Sequence, residues 1–266
     1  MMIIDEKMKR SFNWHLWVLV VVLMWSMAGC SVKEERQDCP CRLMLDLSAV
    51  DTSLVKVLNV QAVSADGVVF SDTLASPKFD EIYVRNVPHR DVRVLVWGSH
   101  EAEDRLLIPY GNDCPALYMD AFDADTRGEK YFKKVELRKN HCLLSVNFEG
   151  REEIPYSLTF RGNVNGYDSY GLPSEGDFSC VVYPGNDGGS MVVVPRQTDS
   201  SMLLDVEDPG SSVLKTFAIG EYMERSGYDW TKADLEDAEV VIDYCITGFK
   251  IVFKGWDKEY IYDIIL

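Results

Sequence analysis

Cys30 is the residue of this chain whose neighbours prescribe a reaction. It follows Met27-Ala28-Gly29, behind an apolar run from Leu16 to Trp25 and the cations Lys7, Lys9 and Arg10. A basic stretch, a short apolar stretch and small residues before a cut make a secretory signal, and a cysteine directly after the cut resembles a bacterial lipobox. The chemistry expected there is thioether linkage of the Cys30 sulfur to diacylglycerol, with an acyl chain such as palmitate on the amine that cleavage exposes. The run is shorter than the ~20 apolar residues that span hydrocarbon as a permanent helix. Residues 1–29 are therefore expected to be removed as a signal peptide, and the acyl chains to take over the attachment.

Other groups that could do chemistry stand in patterns that do not converge. His15 lies in the signal segment, and His89, His100 and His141 are far apart in the sequence. No Gly-x-Ser-x-Gly elbow, His-Glu-x-x-His helix or glycine-rich phosphate loop occurs, so neither catalysis nor a cofactor is expected. Asp120, Asp123 and Asp125 are a weak candidate for a calcium loop. Their spacing departs from an EF-hand and Arg127 stands where an acceptor would help, which favours a solvated turn. Cys39-Pro40-Cys41 lacks the spacer of Cys-x-x-Cys and has no second cysteine pair at metal-ligand spacing, so it is read as a structural element at the entry to the first strand. An exported chain permits disulfides among the cysteines after Cys30, but the sequence does not choose their pairing. Tyr167, Tyr170, Tyr183, Tyr228 and Trp230 could stack on sugars, which gives an alternative function as a surface glycan-binding lipoprotein.

The elements that must position these groups have period two. Leu43, Leu45 and Leu47 alternate with Arg42, Met44 and Asp46, and Val92, Val94 and Val96 alternate with Arg93, Leu95 and Trp97, as half-buried strands require. Further strands are expected at 54–64, 68–71, 81–84, 131–137, 143–148, 157–161, 178–183, 191–195, 202–206, 240–244 and 249–253. Residues 162–176 and 184–189 are rich in Gly, Asn, Asp and Pro and read as surface loops. A short helix is expected at 231–237, with Thr231 as N-cap. The fold class is all-β, an antiparallel sandwich signature, and the strand count suggests two sandwiches joined near 138–141. The domains expected are residues 30–38 as a lipidated tether, 39–140 as the first sandwich and 141–266 as the second.

A formal net charge of -16 excludes nucleic acid as an expected partner, because phosphate binding needs clustered Lys and Arg. Lys33, Glu34 and Glu35 lie just behind Cys30 and resemble the short acidic signal that sends Bacteroidetes lipoproteins to the outer face of the outer membrane. The apolar end Tyr260 to Leu266 is read either as the last strand of its own domain or as a strand offered to a partner.

Several stretches together resemble one family. They are Asp38-Cys39-Pro40-Cys41, Asp91 to Gly98, Asn163 to Phe178 with Gly171-Leu172-Pro173, Val193-Val194-Pro195-Arg196, Gly227-Tyr228-Asp229-Trp230, Leu235-Glu236-Asp237, Ile242-Asp243-Tyr244 and Lys254-Gly255-Trp256. In this order behind a lipobox they resemble the FimB-like anchor subunits of Bacteroidales fimbriae. The resemblance implies two transthyretin-like β-sandwich domains, no catalysis, and a lipoprotein of the cell outer membrane. Such a protein holds the base of a fimbrium, limits its length, and has a fimbrial stalk subunit as partner. Cys30 is the residue that carries over with a defined role.

Overall fold

The computed structural model describes residues 39–76, 79, 82–100, 105–149, 156–185, 188–245, 248–255 and 258–265. The signal segment, Cys30, Lys33, Glu34, Glu35, Trp256 and Leu266 lie outside the described residues. The chain from Cys41 onward forms one compact unit.

Within that unit one strand plan occurs twice. In the first half, β1 (Cys41–Asp46) lies between β4 (Ile82–Val87) and β7 (Lys130–Lys134). Against this sheet packs a second one, built from β2 (Val57–Ser64), β3 (Gly67–Ala75), β5 (Asp91–Ser99) and β6 (Tyr118–Asp125) in the order β3-β2-β5-β6, with the short β8 (Arg138–Lys139) beyond β6. In the second half, β9 (His141–Glu149) lies between β12 (Gly189–Pro195) and β15 (Ala238–Cys245). Its facing sheet comprises β10 (Ser157–Tyr167), β11 (Pro173–Val182), β13 (Leu203–Glu207) and β14 (Val213–Phe217) in the order β11-β10-β13-β14. The seven-strand orders correspond position for position. The second half then adds β16 (Gly248–Gly255) and β17 (Lys258–Ile265) beside β15, and a helix, α1 (Ile219–Arg225), between β14 and β15.

Alternation along the strands builds the cores. Leu43 and Leu45 of β1 meet Leu58, Val60, Val94 and Val96 in the first core, while Leu144, Val146, Phe160, Cys180, Val194, Leu204 and Val240 fill the second. The expectation of antiparallel pairing needs one correction in each half. β1 pairs antiparallel with β4 but parallel with β7, and β9 pairs antiparallel with β12 but parallel with β15. In both halves the parallel partner returns only after the chain has crossed the facing sheet, and such a long crossover is what parallel neighbours require.

Three local expectations also fail for physical reasons. Residues 231–237 form no helix: a turn at Thr231 is followed by bends and irregular backbone, and the Asp229 carboxylate accepts from the Thr231 backbone N–H at 2.8 Å and from its hydroxyl at 2.6 Å, a local turn that competes with helix. Residues 162–176 are mostly strand, since β10 runs to Tyr167 and β11 starts at Pro173. Strand β5 is not half-buried: Leu95 and Trp97 on its second face are as enclosed as Val94 and Val96 on its first.

Candidate functional site

The second face of β5 starts the densest functional geometry in the molecule. Leu95, Trp97, Leu117, Met119 and Tyr167 form a third core between the sandwiches. Tyr167 arrives there because β10 carries register shifts between Gly162 and Tyr167, and irregular strands bend. Gly166 has φ +131°, and a Cβ on it would lie 2.1 Å from the Leu106 carbonyl oxygen, so this crossing admits only glycine. Beyond it Asp168 Oδ1 accepts from the backbone N–H groups of Tyr170 and Leu172, each at 2.9 Å, folding the β10–β11 turn over the first half. Gly171 then seats against Leu95 and Ala121.

Arg196 is the polar centre of the joint. Its guanidinium donates to the carbonyls of Trp230, Lys232 (2.8 Å) and Ala233 (3.3 Å) and to Asn140 Oδ1 (3.2 Å). Tyr167 Oη donates to the Asn140 carbonyl and accepts from the Arg196 backbone N–H at 3.3 Å. The strap from Tyr228 to Asp237 is thereby laid along the connection between the halves. Asp234 accepts from the Lys139 backbone N–H (2.9 Å) and Arg138 Nη1 (3.1 Å), and Asp237 accepts from the Leu143 backbone N–H (2.8 Å) and Lys139 Nζ. Tyr228 and Trp230 meet edge to face with centroids 4.7 Å apart. Charged hydrogen bonds contribute about 1.5–3 kcal/mol each when shielded; those of Arg196 to Asn140, Trp230 and Lys232 are partly buried, while those of Asp234 and Asp237 are exposed and contribute less. His141 sits below it, donating or accepting through Nδ1 at the Leu117 carbonyl (3.0 Å), and burial pushes its imidazole pKa down.

The sequence-derived candidates fare differently. Asp120, Asp123 and Asp125 are not on a turn but on β6, where period two sends Asp120 to the face opposite the other two. Asp120 accepts from the Glu136 backbone N–H, Asp123 pairs with Arg93 at 3.2 Å, and Asp125 with Arg127 at 2.8 Å. Among the described residues no cluster of metal-ligating side chains occurs. The aromatic set proposed for sugars is dispersed. Tyr167, Tyr228 and Trp230 are 1, 8 and 5 % exposed and belong to cores, leaving Tyr170, in the turn before β11, and Tyr183, just past its end, at 43 and 75 %. Cys39, Cys41, Cys114, Cys142 and Cys180 are free thiols; burial pushes Cys142 and Cys180 up to about 12, so both stay protonated and unreactive. Of the segment Tyr260 to Leu266, residues 260–265 fall in β17, which pairs with β16 from Lys258 to Ile265 as the last strand of its own sheet. Sequence reasoning missed the joint, although its parts lie in the stretches that carried the family resemblance. An arginine behind Val-Val-Pro was the available signal.

No family model and no curated protein sequence matches the chain. Its fold is one shared with proteins of bacterial fimbriae and adhesion. The fimbrial anchor protein Mfa2 from Porphyromonas gingivalis is similar with a TM-score of 0.56 at 13 % identity, over 82 % of this chain and 98 % of that one. A candidate polysaccharide-binding protein from Bacteroides thetaiotaomicron (TM-score 0.58, 10 % identity, 84 % and 98 % covered) and a candidate adhesin from Bacteroides ovatus (0.56, 14 %, 85 % and 95 %) share the fold too. The resemblance read in the sequence therefore extends to the fold of a fimbrial anchor. Among the described residues no helix is long and apolar enough to cross a membrane.

Proposed function

We propose that this chain is a non-enzymatic lipoprotein that anchors the base of a fimbrium in the outer membrane and limits its length by binding the first stalk subunit. The observation that carries the reading is the braced joint. Arg196 ties the strap at 230–233 to Asn140 in the connection, and the third core packs the two halves together, an arrangement that suits a protein under tension between membrane and polymer. The lipobox supplies the other end, with the lipid on Cys30, residues 30–38 as tether, and Lys33, Glu34 and Glu35 as the signal for surface exposure. The repeated seven-strand plan supports two transthyretin-like domains, residues 39–140 and 141–266. Open strand edges, where main-chain hydrogen bonds give affinity and alternate side-chain pockets give specificity, are the places for the stalk subunit.

Replacing Cys30→Ala tests the reading in cells. The expected outcome is that both the protein and its fimbriae appear in the medium; full membrane retention would overturn lipidation. Deleting the gene should give longer, shed fimbriae, and fimbriae of unchanged length and attachment would remove the anchoring role.

A further inference from the structure

The first sheet of the first half presents an uncovered apolar face. Directly paired residues in a sheet share one face, and Met44 of β1 pairs with Val84 of β4 on one side and Phe132 of β7 on the other. Together with Ile82 these make an apolar row, with Phe132 57 %, Ile82 48 % and Val84 39 % exposed. The remaining outward positions of these three strands are Arg42, Lys130, Lys134, Asn86 and Asp46. Three cations and one carboxylate, Asp46 opposite Lys134, thus frame an apolar centre with a local excess of positive charge on a chain of net charge -16. The matching row of the second half is Met191, Ser145 and Glu239, with Asn147 donating to Glu239 at 3.1 Å. Both faces carry apolar residues, Leu143, Val193 and Met191 in the second half, but no Lys or Arg stands in β9, β12 or β15, so equal strand plans carry faces of different charge.

Cations around exposed Phe, Ile, Val and Met match a lipid surface, in which phosphates meet the basic groups and apolar side chains enter the headgroup boundary. Chain length adds a second constraint. Strand β1 begins at Cys41, and the link from Cys30 spans at most about 40 Å even when fully extended. We infer that the outward face of β4-β1-β7 docks on the anionic headgroup layer of the bilayer that holds the Cys30 lipid, giving the anchor a second, electrostatic contact. This rests on the lipoprotein reading above. The acyl chains on Cys30 supply the attachment, and the basic apolar face adds an electrostatic contact that holds the first half against the bilayer.

The test uses the full lipoprotein extracted from membranes, floated with vesicles of phosphatidylcholine alone or mixed with phosphatidylglycerol, and read by amide hydrogen exchange. The expected result is a several-fold slowing of exchange at 82–87 and 130–134 on the anionic vesicles. Slowing should be weaker on neutral vesicles, diminish with added salt, and vanish in the variant with both Lys130→Glu and Lys134→Glu, while 189–195 stays unchanged. Flotation with both vesicles but no slowing at these strands overturns this inference and leaves the lipid anchor intact. Slowing that follows protein concentration without vesicles assigns the face to a second copy and also overturns it. Failure of the wild-type protein to float removes the lipid anchor and this inference with it. Wild-type protein alone separates these outcomes, so a variant that fails to fold does not blur them.

Discussion

In the first half β1 is flanked by β4 and β7, and in the second β9 is flanked by β12 and β15, yet the two arrangements are finished differently. Beyond β15 the hairpin β16–β17 continues the sheet, whereas in the first half the corresponding edge strand β7 has no further partner among the described residues. The facing sheets differ as well. In the first half that sheet is covered on both sides, by its own core and by the β10–β11 turn of the other half, and the covering side chain is Tyr167. The lesson is that topology sets where strands go, while residues at a few outward positions decide whether a face meets solvent, the sister domain or another surface.

Disrupting the shared third core has the largest expected effect. Trp97→Ala removes its largest β5 side chain and is expected to lower unfolding stability by about 3–5 kcal/mol, measured by urea denaturation. It should also split one unfolding transition into two, because the halves lose the packing that couples them; a single unshifted transition would mean that they unfold together for another reason. Next comes Arg196→Ala, which leaves the carbonyls of Trp230, Lys232 and Ala233 without their donor. A loss of about 2–3 kcal/mol is expected, with exchange at 228–237 accelerating more than in the first core.

A smaller and pH-dependent effect belongs to His141. Burial depresses its folded pKa below the ordinary value of 6.5, so the unfolded chain takes up its proton first. Its contribution is full above that value and declines as pH falls from it toward the depressed folded value. His141→Phe should therefore flatten the stability profile between neutral and mildly acidic pH, and an unchanged slope would place the titration elsewhere. Smallest of all is Arg138→Ala. Its pairs with Glu136 and Asp234 are about half exposed, and such surface pairs contribute roughly 0.2–1 kcal/mol. A loss well beyond that range would show that the connection between the halves is under more strain than its contacts indicate.

The corrections have particular causes. Alternation made the strands from Leu43 and from Val92 legible, but alternation reports one buried face, and the burial of Leu95 and Trp97 depends on a segment some seventy residues away. Gly, Asn and Asp between 162 and 176 carry the signature of a loop, and here the same residues let a strand bend across a domain boundary. The aspartates of β6 looked like a cluster in one dimension. On a strand, neighbours of odd separation point apart.

By itself the sequence determined the all-β class and the net charge of -16, and it supplied the expectation of lipid attachment at Cys30. These follow from composition and short-range spacing, which need no contacts to be read. Tertiary structure alone decided that the halves repeat one plan, that Tyr228 and Trp230 brace a joint instead of binding sugar, and that an apolar row from Val84 through Met44 to Phe132 stays uncovered. Each depends on which distant strands become neighbours, and that outcome is set by the free energy of packing the whole chain.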